Sequence, residues 1–232
     1  MDIRRGALAG WLIVAASTAQ GGEPLATDDA AIVSPKTCQI EVWARALHDG
    51  REYWAQPACN FTGNVEFDVA GAREEPDGSD SSSMLQLQAK AVLFTSPDNA
   101  WSFGVVAGAA RDAGSPHGSS AFQNYYAKGL ASWYPRDGLE MDFNLGASNA
   151  YGLGTFALAG AAIQYAVAPS VELLAEVYRD APGRAKYQLG VRWIVVANRF
   201  ETYVSYGDRF GAPPSQWAVI AGIRLQSATF LP

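Results

Sequence analysis

The stretch from Leu139 to Ala147, LEMDFNLGA, alternates apolar and polar side chains along its length. Its odd-numbered positions begin with leucine, methionine, phenylalanine and leucine, and its even-numbered positions hold glutamate, aspartate, asparagine and glycine. A period of two is typical of a β-strand whose faces meet different environments. The same period recurs at residues 65–69, 187–193 and 217–225, so the pattern predicts an all-β protein.

About twelve segments with this alternation cover most of the chain. Each is near the roughly ten residues with which a tilted strand crosses an outer membrane. The predicted strands are residues 37–47, 51–60, 65–73, 84–95, 101–111, 122–134, 139–149, 155–167, 171–179, 185–195, 199–206 and 216–226.

The connections between these segments differ in length. Tight turns such as 62–64 and 135–138 alternate with mostly longer pieces such as 74–83 and 112–121. Short turns on one rim and long loops on the other are typical of an up-and-down outer-membrane barrel. A soluble β-sandwich also alternates, but it gains nothing from an even strand count with long and short connections in rotation. We therefore expect an all-β, up-and-down antiparallel transmembrane β-barrel of about twelve strands over residues 37–232, with both termini on the periplasmic side.

The N-terminal residues have the order of an export signal. Arg4 and Arg5 precede the apolar stretch Gly6 to Ala16, and the small residues Ser17 to Ala19 follow. Basic, apolar and then small residues predict a secretory signal peptide over residues 1–19, with a buried N-terminal helix as the alternative. We expect residues 20–36 to form a periplasmic arm, or a partial plug that reaches into the barrel.

Composition narrows the class of protein further. The chain has 23 glycines and a formal net charge of −6, and a negative chain is a poor partner for nucleic acid. Aromatic residues crowd the predicted strand ends, which suits interfacial girdles in a bilayer. We expect the bacterial outer membrane as the location, and outer-membrane lipid and the barrel-assembly machinery as partners. The girdle positions are Tyr53, Trp54, Trp101, Phe103, Tyr125, Tyr126, Trp133, Tyr134, Trp193, Phe200 and Trp217.

The charged residues of the strands fall on the face opposite the apolar side chains. A basic side chain in lipid at mid-depth costs about 2–4 kcal/mol, so this face is predicted to point into the lumen. Either the charges pair and close the interior, or they line a path whose acidic excess favours cations or neutral solutes over anions. The buried acids are then expected to pair with Lys128, Arg192 and Arg224, or with passing cations. The predicted lumen residues are Glu41, Glu66, Asp68, Lys90, Lys128, Glu140, Asp142, Glu172, Glu176, Arg192, Glu201 and Arg224.

The first predicted hairpin has a register in which paired residue numbers sum to 97. Arg45 then lies opposite Glu52, which is a favourable cross-strand pair. The same register places Cys38 opposite Cys59, within reach of a disulfide in an exported protein. Two buried free thiols are the alternative.

Candidates for catalysis are few. His48 and His117 fall in predicted loops, beside Asp49, Asp112, Ser115 and Ser119. Two histidines near acids and serines are what polar loops contain by chance, so no catalytic residue is assigned. No ligand spacing indicates a metal, and no cofactor is expected.

The segment Pro24 to Ala30, PLATDDA, precedes a strand that carries Gln39 and Glu41. This opening resembles a family of outer-membrane transporters named after the meta-pathway of phenol degradation. The resemblance implies a barrel of this size that moves small molecules, including aromatic ones. Such barrels end on an aromatic residue, whereas here Phe230 is followed by Leu231 and Pro232.

The function expected from these features is a passive outer-membrane channel or transporter for small solutes, neutral, cationic or aromatic. The alternatives are a non-conducting structural or surface-interaction barrel, or an outer-membrane barrel enzyme.

Overall fold

The computed structural model describes residues 25–78, 80–112, 122–150, 152–211 and 217–229. Twelve strands run through these residues and alternate in direction. They are β1 Thr37–Leu47, β2 Gly50–Asn60, β3 Val65–Pro76, β4 Ser82–Thr95, β5 Trp101–Asp112, β6 Asn124–Arg136, β7 Leu139–Ala150, β8 Gly154–Ala168, β9 Val171–Arg179, β10 Lys186–Val196, β11 Phe200–Arg209 and β12 Ala218–Gln226.

The strands form one closed barrel. Each strand pairs with its neighbours in the chain, and β1 pairs with β12 over Gln39↔Gln226 to Leu47↔Ala218 to close the wall. Closure leaves no strand edge unpaired, which is what a β-structure inside a bilayer requires. The prediction of an up-and-down antiparallel barrel is confirmed. Within the described residues, no helix has the length and apolar character needed to cross a membrane.

The two rims of the barrel differ. The short-turn rim carries connections such as Asp137–Gly138, while the long-loop rim carries longer ones such as residues 180–185. Two predicted connections are shorter than expected. β6 continues to Arg136 through a register shift after Trp133, and β7 and β8 extend until Ala150 pairs with Gly154.

Alternation along each strand separates an apolar outer face from a polar inner face. On the outside, Leu145 and Leu189 are 71% and 56% exposed. On the inside, Glu41 and Asp142 are 2% and 0% exposed. A water-soluble barrel would have the opposite arrangement, so the outer wall suits contact with lipid.

Aromatic residues collect on the outer wall at both rims. Near the short-turn rim, the ring of Trp101 stacks on Phe103 and Trp133, with centroids 5.9 and 5.5 Å apart. Tyr125 is 52% exposed near the long-loop rim. Such belts suit the two interfaces of a bilayer.

Three residues assigned to these girdles point the other way. Trp54 packs against a buried cluster that contains Trp43, and Tyr126 donates from its hydroxyl group to Gln88 inside the barrel. Tyr134 hydrogen-bonds with Glu140 of the inner face. All three occupy inward positions of β2 and β6, because each directly follows an aromatic residue of the outer wall. The position of an aromatic residue near a strand end therefore predicts which rim of the barrel it lies at, but not whether it faces the lumen or the lipid.

The first hairpin has the predicted register. Arg45 pairs with Glu52 across β1 and β2, and Nη1 lies 3.0 Å from Oε2. Cys38 and Cys59 are directly opposite each other and form a disulfide, with their Cα atoms 4.1 Å apart. This bond ties the two strands together close to the short-turn rim.

Candidate functional site in the barrel lumen

The structure places all twelve charged residues predicted for the lumen on inward-facing positions. Nine of them are buried, and Lys128, Glu172 and Glu201 are partly buried. Whether they line a path for solutes stays a prediction. The nine buried residues are Glu41, Glu66, Asp68, Lys90, Glu140, Asp142, Glu176, Arg192 and Arg224.

Two arginines connect the inner faces of five consecutive strands in the closed wall. Arg192 on β10 lies 3.0 Å from Glu172 on β9 and 3.7 Å from Glu201 on β11. Arg224 on β12 also pairs with Glu201, and its Nη1 lies 3.9 Å from Glu41 on β1. This network joins strands from both sides of the β1–β12 closure. Each charge in it lies near an opposite one, so removing one partner would leave its neighbour buried and uncompensated.

Residues 25–36, which we call the arm, run inside the barrel before β1 begins. Asp29 pairs with Lys90 at 2.8 Å, and both side chains are at least 98% buried. Asp28 pairs with Lys128 on β6. Burial raises the pKa of Asp28, but the positive charges of Lys128 and Lys90 outweigh burial, so this pKa lies below its ordinary value.

The backbone of the arm donates hydrogen bonds to side chains of the inner wall. Glu176 accepts from two consecutive amides of the arm, those of Ala26 and Thr27, each at 2.9 Å. Because an arm without strand partners must satisfy its backbone groups by other means, these side chains replace a sheet. Further bonds of this kind run from Asp28 N to Asn144, from Ala30 N to Ser132 and from Val33 N to Glu66, each at 2.8 Å.

The expected pairing of the acids with bases is only partly found. Glu172 pairs with Arg192, whereas the hydrogen bonds of Glu176 run to the arm. Asp142 accepts from Ser132 Oγ at 2.5 Å and from Gln164 Nε2 at 3.0 Å. Alternation identifies which face a carboxylate occupies, but it carries no information about a backbone segment that crosses the lumen.

A cavity of about 210 Å³ lies between the arm and the long-loop rim, and we call it the vestibule. The rings of Trp43 and Trp54 stack at its side with centroids 5.4 Å apart. Trp54 donates from Nε1 to Glu52 at 3.0 Å. Sequence reasoning missed the vestibule because Trp54 was assigned to the outer girdle. Its lining residues are Ala26, Trp43, Arg45, Trp54, Gln56, Gln86, Tyr178, Asp180, Gln188 and Ile220.

The histidine-based candidates do not converge. His48 and Asp49 form the exposed turn between β1 and β2. The side chain of Asp112 lies outside the described residues, as do Ser115, His117 and Ser119. The same holds for the predicted signal peptide and for Phe230. Across the described part of the chain, no group of three or more His, Cys, Asp or Glu residues is placed to hold a metal ion.

A closed antiparallel wall with an apolar outside and a charged, polar inside defines the class of bacterial outer-membrane β-barrels. Solved channels share this fold. A KdgM porin in complex with disordered oligogalacturonate has 13% identity and a TM-score of 0.63, and the match covers 81% of this chain and 98% of that chain. The COG4313 outer membrane channel from Pseudomonas putida F1 has 9% identity and a TM-score of 0.61, over 82% and 95% of the two chains. A NanC porin has 9% identity and a TM-score of 0.59, over 81% and 98%.

Within this class, the chain belongs to the family described as uncharacterised conserved protein UCP029691, whose model matches residues 8–226. No curated protein matches its sequence.

Proposed function

We propose that this protein is a passive channel for small solutes in the bacterial outer membrane. The observation that carries the proposal is the barrel wall, which separates an apolar outer surface from an inner surface of buried charges. Charged groups inside a barrel provide a polar route through the bilayer. The porins and the channel that share the fold support transport over catalysis.

The arm is proposed to be a partial plug of this channel. Its backbone crosses the lumen from Glu176 on β9 to Glu66 on β3, and its own side chains Asp29 and Val33 are 1% exposed. The arm is bound by ion pairs, by hydrogen bonds and by apolar contacts of Leu25 and Ala30 with the inner wall. None of these contacts belongs to the hydrogen-bonded ladder between the strands, so the arm can move without unfolding the wall.

An acidic lumen favours cations and neutral solutes over anions. Eight acids and four bases make up the predicted inward set, and Asp28 and Asp29 of the arm add two more acids. The basic groups are engaged in ion pairs, such as those of Lys90 with Asp29 and Arg192 with Glu172. Little positive charge is therefore left to attract an anion.

The resemblance of residues 24–30 to the transporters named after the meta-pathway of phenol degradation implies an aromatic solute. The family whose model matches the chain is uncharacterised and names no solute. We therefore keep an aromatic solute as an alternative class. A non-conducting structural barrel is the competing function. An enzyme is disfavoured because the turn of His48 and Asp49 is exposed and stands apart from the lumen.

Planar-bilayer recording of the refolded mature protein tests the channel. We expect a small conductance from the wild type and a larger one from Asp28→Asn/Asp29→Asn, which removes both ion pairs of the arm. Asp98→Asn/Asp137→Asn, in two exposed turns, removes the same number of charges and should conduct like the wild type. Absence of conductance in all three proteins, each shown to be folded by heat-modifiable migration, would establish the non-conducting alternative.

A further inference from the structure

We propose that the vestibule binds a single uncharged ring that carries several hydroxyl groups, the chemistry of a neutral monosaccharide. This inference rests on the proposed channel function and names the class of solute. The cavity of about 210 Å³ is smaller than the roughly 300–1,000 Å³ of pockets for drug-sized ligands, so it suits one ring.

Aromatic side chains form one part of the vestibule wall. Trp43 and Trp54 stack with only 3° between their planes, and Tyr178 also lines the cavity. Large, rigid aromatic surfaces of this kind pack against the apolar C–H face of a ring-shaped solute with little loss of side-chain freedom.

Amide groups form the polar part of the same wall. They belong to Gln56, Gln86 and Gln188. Gln56 donates from Nε2 to Asp68 and Gln86 donates from Nε2 to Tyr126, so these amino groups already have partners in the protein. An amide oxygen has two lone pairs and can accept from a hydroxyl group of a solute. A ring with several hydroxyls can donate to several such oxygens at once, whereas a phenol has one hydroxyl to donate, which disfavours it.

The charges of the lining are already balanced. Arg45 pairs with Glu52 at 3.0 Å, and Asp180 pairs with Lys186 at 2.9 Å. The vestibule therefore offers no unbalanced charge to an acidic sugar or to a cation, even though the lumen below it is acidic. The balanced charges of the lining therefore favour an uncharged solute over an ionic one.

Calorimetric titration of the refolded mature protein in detergent micelles tests the site. The probes are D-glucose and D-galactose as neutral rings, D-glucuronate as an acidic ring and phenol as an aromatic ring. We expect saturable binding of at least one neutral sugar, weaker binding of D-glucuronate and weaker binding of phenol. No saturable binding of either neutral sugar, or tighter binding of D-glucuronate or phenol, would overturn the proposal.

Two variants locate the binding. Trp54→Ala should weaken the binding of the neutral sugar by at least about tenfold, because it removes half of the aromatic platform. Trp193→Ala, which removes an exposed tryptophan from the outer wall, is the matched control and should bind like the wild type. If Trp54→Ala does not fold, Gln56→Leu retains the tryptophan stack and should also weaken binding about tenfold. Wild-type affinity in the folded variant would show that the sugar binds elsewhere.

The binding measurement in micelles and the conductance measurement in bilayers test the two proposals separately. Sugar binding without conductance contradicts the channel and leaves the site, whereas conductance without sugar binding contradicts the site and leaves the channel.

Discussion

At the scale of single residues, Glu176 shows how a lumen side chain can act on a segment far away in the chain. Its carboxylate accepts from the amides of Ala26 and Thr27, which are 150 and 149 residues away. Its inward position follows from the alternation of β9, but its partners do not. The sequence pattern predicts whether a side chain faces the lumen, but it does not predict which backbone segment lies next to that side chain.

We expect Glu176→Gln to loosen the arm and to raise the conductance. Glutamine keeps one acceptor oxygen and turns an amino group toward a backbone N–H, so one hydrogen bond is lost. The loss of one buried bond costs about 1–3 kcal/mol, and the melting temperature should fall only slightly. Single-channel recording and a melting curve on the same preparation measure both effects.

Glu172→Gln is the matched control on the same strand and face. Glu172 pairs with Arg192 within the wall, so its loss should lower the melting temperature without raising the conductance. If Glu176→Gln conducts like the wild type, Glu176 does not hold the arm in the lumen.

At the scale of elements, the strands are well predicted in their centres and less well at the short-turn rim. Register shifts occur between Val92 and Phe94, between Trp133 and Arg136, between Ala166 and Ala168, and between Ile194 and Val196. All four precede short turns. A bulge inserts a residue and inverts the alternation beyond it, so a period of two fails there for a physical reason.

The hairpin of β1 and β2 should depend on its disulfide. Cys38 and Cys59 are 21 residues apart, and closing a loop of this size stabilises a folded state by about 3 kcal/mol in the chain-entropy account. We expect Cys38→Ser/Cys59→Ser to unfold at lower urea concentration than the oxidised wild type. Reduced wild type should match the variant, and an unchanged midpoint in both would show that the hairpin does not need the bond.

Close packing of β6 against β7 depends on a glycine. An added Cβ at Gly146 would lie 2.1 Å from the carbonyl oxygen of Ala127, which is backbone and cannot rotate away. We expect Gly146→Ala to destabilise the barrel by about 1–3 kcal/mol, measured as a lower melting temperature.

Gly129→Ala in β6 is the matched control for this glycine. The nearest atom to its added Cβ, the oxygen of Leu145, is 3.8 Å away, an ordinary contact. Equal melting temperatures for the two variants would mean that the strands separate at Gly146 without cost.

At the scale of the whole molecule, sequence reasoning predicted the barrel, its strand number and its two faces, because a period of two and turn residues are local signals. It gave residues 20–36 as an arm or a partial plug that reaches into the barrel, but it predicted neither the vestibule nor the partners of the arm. Both depend on contacts between residues such as Ala26 and Tyr178, which lie together only after the wall has closed. The two adjacent aspartates of the arm were the available signal, since paired acids beside an acidic lumen need basic partners.

The acidic interior should give the open channel a cation preference. We expect the reversal potential in a KCl gradient to have the sign of K⁺ over Cl⁻, and to move toward zero in Glu66→Gln/Asp68→Asn. These two buried acids lie on β3, and their removal makes the electrostatic potential of the lumen less negative. A preference for Cl⁻ in the wild type would mean that the arginines, and not the acids, face the permeating ion.

The position of the arm also sets an order of events in assembly. The arm precedes β1, yet its partners lie on strands as distant as β9, and the wall closes only when β12 pairs with β1. A segment that enters a finished barrel must pass through a rim, whereas one that is present earlier can be enclosed. We therefore expect the arm to lie between the strands before β12 pairs with β1, so that the closing wall encloses it.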